Sequence, residues 1–394
     1  MLASTLVELA CTRCGANYDT DKLQSLCSCG GPLYAGYDLE AAASSWRCGK
    51  GLAGRPHSVW RYAEILPVRQ PANRLTLGEG STPLLEVPRT SQELGMRRLL
   101  VKDEGLNPTG SFKARGLCVA VSRALELGVG SVAIPTAGNA GGALAAYAAR
   151  GGLEATVYMP ADAPQEFVDE CRGLGAKVVK VPGLITDAGA AMAADAEREG
   201  FFTVATLKEP YRVEGKKTMG IELAEQLDWQ LPDAIIYPTG GGTGLLGMWK
   251  AFDELEALGS IDSRRPRMIS VQTEGCAPIV RAFAEGTETA EPWQNAATIA
   301  SGLRVPSAVA DREILRVLRQ SDGDAISVSD AEILDYARRL GAEEGFYVAP
   351  EAAATIAAIP LLLSQGRLDA DGTVVAFLTG SAYKYRTGLM AASP

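Results

Sequence analysis

From Leu99 onward the chain alternates short runs rich in Val, Ile and Leu with longer Ala-rich stretches. Ser131-Val132-Ala133-Ile134-Pro135, Glu154-Ala155-Thr156-Val157-Tyr158-Met159, Ala176-Lys177-Val178-Val179-Lys180-Val181 and Asp233-Ala234-Ile235-Ile236-Tyr237 are each followed by a helical pattern. Continuous apolar runs of this length predict buried parallel strands joined by helices. Met268-Ile269-Ser270-Val271-Gln272 and Thr373-Val374-Val375-Ala376-Phe377-Leu378 add strands late in the chain. The pattern is that of an open α/β architecture. The repeating part, 131–205, reads as a small inserted α/β lobe, with 35–130 and 206–394 as a larger one. Residues 35–75 carry Tyr37, Trp46, Trp60, Tyr62 and three prolines without a sustained period, which predicts an irregular lead-in. Residues 1–34 stand apart as a small knuckle.

Composition sharpens this picture. With 394 residues, 47% of them hydrophobic and 22% charged, the chain can bury a large core, and 43 glycines in this length fit two packed lobes. No apolar run reaches the roughly 18 residues of a membrane span. Thirty-eight Lys and Arg against 47 Asp and Glu give a net charge of −9, which disfavours nucleic acid or an anionic membrane as partner and leaves local basic sites for small anions. A small-molecule substrate is therefore expected. His57 is the single histidine, so histidine triads and multi-histidine metal sites are excluded. A general base must be a lysine, a carboxylate, a tyrosine or the substrate itself.

Eight cysteines spread over a long chain, with no basic and apolar leader before them, suggest a reducing, cytoplasmic setting. Four are grouped. Cys11-x2-Cys14 and, twelve residues later, Cys27-x-Cys29 followed by Gly30-Gly31-Pro32 read as a zinc-ribbon-like knuckle, because two thiolate pairs on tight turns can supply four tetrahedral ligands. The second pair has one spacer where ribbons usually have two. A knuckle that keeps its turns without metal is the competing reading.

Ligands in open parallel sheets bind beyond the carboxyl ends of strands, and three such ends stand out here. After Leu99-Leu100-Val101 come Asn107-Pro108-Thr109-Gly110, a turn, then Ser111 as an expected N-cap and Lys113 in the first helical turn. A lysine facing the positive end of a helix dipole has a lowered pKa, which suits a nucleophilic amine, although a solvated lysine can also stand there. The second end is Pro135-Thr136-Ala137-Gly138-Asn139-Ala140-Gly141-Gly142, where helix-start amides can take a carboxylate. The third is Pro238-Thr239-Gly240-Gly241-Gly242-Thr243-Gly244, a loop whose amides can cradle a phosphate. Gly242-x-Gly244-x-x-Gly247 also matches a dinucleotide fingerprint, with Glu274 as its acid, but such fingerprints normally open a domain.

Together these stations resemble the pyridoxal-phosphate enzymes of fold type II, the tryptophan-synthase-β type. The closer resemblance is to the threonine synthases. Gly78-Glu79-Gly80-Ser81-Thr82-Pro83-Leu84, Glu104 to Lys113, Pro210-Tyr211-Arg212-Val213-Glu214-Gly215-Lys216-Lys217-Thr218 and Ser301-Gly302-Leu303-Arg304-Val305-Pro306 carry it, over about 76–385. The resemblance implies a two-lobed fold with open, mostly parallel sheets, pyridoxal 5′-phosphate as cofactor, a large cofactor-binding lobe and a homodimer, to which the N-terminal cysteines, read on their own spacing, add an optional structural zinc. It makes Lys113 the Schiff-base lysine and Asn139 the partner of the cofactor's phenolic oxygen. Gly240, Gly241, Gly242, Thr243 and Gly244 hold the cofactor phosphate, and Thr379 meets the pyridine nitrogen.

The implied reaction is conversion of O-phospho-L-homoserine and water to L-threonine and phosphate. Lys113, once freed by the substrate amine, removes the Cα proton and moves protons at Cβ; phosphate leaves from Cγ and water adds at Cβ. Thr136, Ala137 and Ala140 belong to the substrate's carboxylate cradle. Arg212 and Arg115, with Lys102, Lys216 and Lys217 behind them, are the candidate hosts of its phosphate. The chain departs from many threonine synthases in having Thr136-Ala137-Gly138-Asn139-Ala140 for Ser-Thr-Gly-Asn-Thr, Ala114 for Asp, and Leu207 where an Asn-Ser pair is usual. Competing readings are a β-replacement enzyme such as a cysteate- or cysteine-synthase-like protein, a threonine or serine ammonia-lyase, and a catalytically silent binding or regulatory protein.

Overall fold

The structure, a computed structural model, describes residues 3–47 and 49–385. Cys48, one of the eight cysteines, lies outside the described residues.

The N-terminal segment forms a three-stranded antiparallel sheet of β1 (Leu6–Cys11), β2 (Asn17–Tyr18) and β3 (Leu33–Tyr37), with β1 in the middle. Helix α1 (Leu39–Trp46) follows, capped by Asp38, whose carboxylate accepts from Ala41 N. The expected irregular lead-in therefore contains a helix. Its aromatics hid the period, and their role is packing, since Trp46 and Tyr62 are buried in the main core with rings 6.1 Å apart.

After β4 (Leu84–Glu86), α2 (Pro88–Glu93), β5 (Arg98–Asp103) and α3 (Lys113–Glu126), strands and helices alternate. The next group is β6 (Ser131–Pro135), α4 (Ala140–Gly151), β7 (Glu154–Pro160), α5 (Gln165–Gly173), β8 (Lys177–Val181), α6 (Ile185–Glu199) and β9 (Phe202–Thr203). Its strands form a four-stranded parallel sheet in the order β8-β7-β6-β9. Then come α7 (Arg212–Gln226), β10 (Ala234–Pro238), α8 (Thr243–Ala257), β11 (Arg267–Thr273), α9 (Pro278–Ala284) and α10 (Asp311–Gln320). The last group is β12 (Asp324–Val328), α11 (Asp330–Arg339), α12 (Pro350–Ser364) and β13 (Thr373–Leu378). These late strands join β4 and β5 in a six-stranded sheet ordered β12-β11-β10-β13-β5-β4, parallel except for β4.

All six strands expected from apolar runs are present within a residue of their predicted limits. Strand β10 is buried along its whole length, which is why it reads as a continuous apolar run. The edge strand β12, Asp324-Ala325-Ile326-Ser327-Val328, escaped notice because two polar residues break a five-residue run. Among the described residues no helix is long and apolar enough to cross a membrane.

The packing of α3, α7 and α8 positions the site. Gly215 on α7 lies so close to α3 that a Cβ there would run into the Arg115 carbonyl, so only glycine permits the crossing. Helix α7 is buried on all sides over Arg212–Ala224. It therefore fixes the start of α3, at Lys113, against its own start, at Arg212.

Candidate active site

One cavity of about 540 Å³ lies beyond the carboxyl ends of β6, β10 and β13. Helices α3, α4, α6, α7 and α8 all start at its wall, with Lys113, Ala140, Ile185, Arg212 and Thr243 as their first residues. Neither α4 nor α8 has a side-chain cap on its first turn, so the amides that a helix leaves unpaired at its N-terminus remain available to a ligand. Five helix N-termini at one wall give the cavity a positive bias and favour anions in it.

Lys113 reaches into this cavity from the first position of α3, with Nζ 4.1 Å from the centre of the Phe112 ring. Burial, then the positive charge of Arg212, lowers its pKa to about 7, against a smaller opposing pull from Glu351. Its amine is thus substantially neutral near neutrality, as a base or nucleophile requires. The residue before the helix is not capped as the sequence suggested. Phe112 occupies the N-cap position, and Ser111, in extended backbone, offers Oγ to Lys113 N at 3.4 Å only. Thr379, at the end of β13, lines the cavity and ties itself to the same turn by accepting from Phe112 N at 3.0 Å.

The glycine loop follows β10. Gly240, Gly241, Gly242, Thr243 and Gly244 line the cavity, and Gly242 has a φ of 77°, a left-handed conformation that a side chain disfavours. A Cβ on Gly242 would also collide with Ile314 of α10. At the end of β6, Thr136, Ala137, Asn139 and Ala140 line the opposite wall, and Thr136 Oγ1 accepts from Gly138 N at 3.1 Å.

Asn139 belongs to a network that the sequence did not suggest. Its Nδ2 donates to the Tyr385 hydroxyl at 3.0 Å, the hydroxyl donates to Glu351 Oε1 at 3.0 Å, and Gly302 N donates to the same oxygen at 2.6 Å. Asn139 Oδ1, Glu351 Oε2 and Ser301 Oγ are buried with no hydrogen-bond partner among the described residues, and all three residues line the cavity. Burial raises the Glu351 carboxyl above its ordinary range. These residues come from four separate segments, and nothing local in the sequence joins them.

Of the expected phosphate hosts the structure brings only Arg212 to the cavity. Its Nη1 is held by Val204 O at 2.8 Å and Thr206 Oγ1 at 3.2 Å, while its buried Nε has no partner among the described residues. Exposed Lys208 stands at the rim, where no sequence signal had pointed. Arg115 is fully buried elsewhere, with Nε 2.7 Å from Glu104 and Nη1 2.9 Å from Glu222, and Lys102 meets Glu222 at 2.5 Å. Buried carboxylates consume both charges, so Arg115 is corrected from substrate host to structural ion pair. Lys216 donates to the Phe112 carbonyl, and Lys217 pairs with Glu214 and Glu254. Leu207 turns into the core through a φ of 55°, and Glu274 stands outside the cavity wall.

At the other end of the chain, the Sγ atoms of Cys11, Cys14, Cys27 and Cys29 all lie within 4.8 Å of one another. The single spacer between Cys27 and Cys29 does not prevent convergence. Four thiols in this arrangement can hold a tetrahedral metal ion.

The cavity fits a phosphate-bearing aldehyde cofactor. It offers a buried amine of lowered pKa, an uncapped glycine-rich helix start, and an amide oxygen and a hydroxyl left unpaired on the wall. Residues 75–380 match the family model described as pyridoxal-phosphate dependent enzyme. The chain is 38% identical over 375 residues to a threonine synthase of Methanocaldococcus jannaschii, covering 95% of this chain and 92% of that one. It is 38% identical over 382 residues to a threonine synthase of Methanosarcina acetivorans, covering 96% and 92%. Among solved structures, a threonine deaminase superposes with a TM-score of 0.64 at 29% identity, covering 76% of this chain and 92% of that one.

Proposed function

Because the chain belongs to the pyridoxal-phosphate-dependent enzymes and, within them, to the threonine synthases, which convert O-phospho-L-homoserine and water to L-threonine and phosphate, we propose that the cavity carries out this reaction with Lys113 as its base. The observation that carries the reading is one buried lysine of lowered pKa facing two separate anion stations, the glycine loop at the start of α8 and Arg212 at the start of α7. A cofactor phosphate and a substrate phosphate need two such stations.

Lys113 would carry the cofactor, Gly240 to Gly244 its phosphate, and Asn139 and Thr379 the polar atoms of its ring. When bound, pyridoxal phosphate supplies the electron sink that acidifies the substrate Cα–H and accommodates loss of the Cγ substituent. Lys113 Nζ, released to a neutral amine near pH 7, takes the Cα proton and moves protons along the substrate chain. Arg212 and Lys208 hold the substrate phosphate and stabilise it as it leaves. The amides of Thr136 to Ala140 hold the carboxylate; Ala137 and Ala140 provide no hydroxyl, so backbone donors do this work. The Asn139–Tyr385–Glu351 chain keeps the Asn139 amide oriented.

Finer readings go with this one: a cytoplasmic homodimer, and a division into 1–34, a large lobe of 35–130 and 206–394, and a small lobe of 131–205. Sedimentation equilibrium tests the dimer and limited proteolysis the division. The reaction is tested by incubating the cofactor-loaded protein with O-phospho-L-homoserine and measuring threonine and inorganic phosphate. Equal release of both, abolished in Lys113→Ala, is expected; turnover of O-phosphoserine or of threonine itself in its place overturns the assignment.

A further inference from the structure

The four cysteines of the N-terminal sheet have no part in the chemistry above, yet the residues between the first two are bonded to the wall of the cavity. Cys11 and Cys29 have their sulfurs 3.5 Å apart, as do Cys14 and Cys27, and Cys14 and Cys29 are 3.6 Å apart. Zinc with sulfurs at about 2.3 Å in a tetrahedron requires sulfur–sulfur edges of about 3.8 Å, so the set has the size of a zinc site and is far wider than a disulfide. Arg13 N also donates to Cys11 Sγ at 3.4 Å, which ties the Cys11-x2-Cys14 loop to the sulfur set.

Thr12 and Arg13 fill the Cys11-x2-Cys14 loop. Thr12 Oγ1 donates to Glu313 Oε1 at 2.8 Å, and Arg13 Nε donates to the same oxygen at 3.2 Å. Arg13 Nη2 donates to the carbonyl of Val309, which lines the cavity, at 2.8 Å. Glu313 is 2% exposed and stands in the first turn of α10. The next residue, Ile314, occupies the space beside Gly242. A continuous path thus runs from the cysteine loop through Arg13 and Glu313, 300 residues apart in the chain, to the phosphate-cradling glycines.

We propose that Cys11, Cys14, Cys27 and Cys29 bind one structural Zn²⁺, and that the bound metal fixes Thr12 and Arg13 so that they brace α10 against the cofactor's glycine loop. The metal site stands on the knuckle alone; the coupling rests on the reading of Gly240 to Gly244 as the cofactor cradle. Without the ion the loop loses its anchor, the hold on Glu313 and Val309 weakens, and Ile314 no longer fixes Gly242. The sulfur set selects zinc over hard, oxygen-seeking cations.

The test uses the full chain purified under reducing conditions. Metal content is measured by plasma mass spectrometry, and pyridoxal phosphate is titrated into cofactor-stripped protein, followed by its absorbance, with zinc present, after chelation, and after restoring Zn²⁺. One zinc per chain is expected, with cofactor affinity falling about tenfold on chelation and returning with Zn²⁺. Arg13→Ala and Glu313→Gln are expected to keep the zinc, to bind the cofactor as weakly as the stripped protein, and to lose the response to chelation. A chain that takes up no zinc under reducing conditions, or holds iron instead, overturns the metal site. Zinc with an unchanged cofactor affinity on chelation overturns the coupling. Protein that holds zinc but binds no pyridoxal phosphate overturns the coupling together with the cradle, and so separates that failure from a wrong choice of substrate, which leaves both titrations intact.

Discussion

The hydroxyl of Tyr385 donates to Glu351 Oε1 at 3.0 Å while accepting from Asn139 Nδ2 at the same distance, so the last described residue of the chain links both walls of the cavity. Tyr385→Phe removes both bonds, leaving Asn139 Nδ2 without its partner and Glu351 Oε1 with Gly302 N alone, which costs about 1–3 kcal/mol of stability. With the Asn139 amide free to rotate, kcat is expected to fall by up to roughly a hundredfold with little change in KM. Steady-state kinetics on a variant that retains its cofactor checks this. An unchanged kcat would remove the network from the function.

Arg115 and Arg212 start from the same sequence expectation and separate in the structure. Arg115→Ala leaves Glu104 and Glu222 buried without their main cation, and a loss of about 3–5 kcal/mol is expected in denaturant unfolding. Arg212→Ala faces the cavity and is expected to keep most of the fold while weakening kcat/KM for the phosphorylated substrate by about a hundredfold or more. Equal behaviour of the two variants in both measurements would contradict the placement.

Lys113 gives a pH dependence of defined sign. Its folded-state pKa is lowered to about 7 from 10.5, so below about 7 the folded cofactor-free protein carries the full cost of a charged amine in the cavity. Between about 7 and 10.5 the unfolded chain binds the extra proton, and that cost disappears as pH rises. Lys113→Met is therefore expected to raise the melting temperature of the cofactor-free protein below pH 7, with the gain vanishing toward pH 10.5. A gain that grows with pH would be the wrong sign.

At Gly242 two constraints coincide, a φ of 77° and contact with Ile314. Gly242→Ala adds about 1–2 kcal/mol of left-handed strain and pushes on α10. The expected result is a cofactor affinity lowered at least about tenfold with the fold retained, read by titration with pyridoxal phosphate.

The parts of this site visible in the sequence are those whose meaning is local. Lys113, Asn139, the Gly240 to Gly244 loop and Thr379 each follow a strand whose apolar run marks it, so their position beyond carboxyl ends of strands, those of the six-stranded sheet and, for Asn139, of the four-stranded one, follows from the architecture. Arg115 shows the limit. Its partner Glu222 lies 107 residues further on, and whether an arginine faces a ligand or a carboxylate is settled by packing that no local pattern encodes. Glu351 and Tyr385 were missed for the same reason: each is unremarkable in its own segment, and only the folded packing brings it beside Asn139, while Ser301 stood out only as part of a segment carrying the resemblance, with no role of its own. That the N-terminal cysteines form one cluster able to hold a metal was legible, whereas the bond from Arg13 to Glu313, 300 residues away, was not.

The most direct measurement is turnover of O-phospho-L-homoserine by the cofactor-loaded protein in oxygen-18 water, with both products analysed by mass spectrometry. Departure of phosphate by cleavage at Cγ and addition of water at Cβ should place the label in the hydroxyl of threonine and leave the released phosphate unlabelled. Label in the phosphate would show simple hydrolysis of the ester, and 2-oxobutyrate with ammonia in place of threonine would show an ammonia-lyase; either result would contradict the reaction assigned to this cavity.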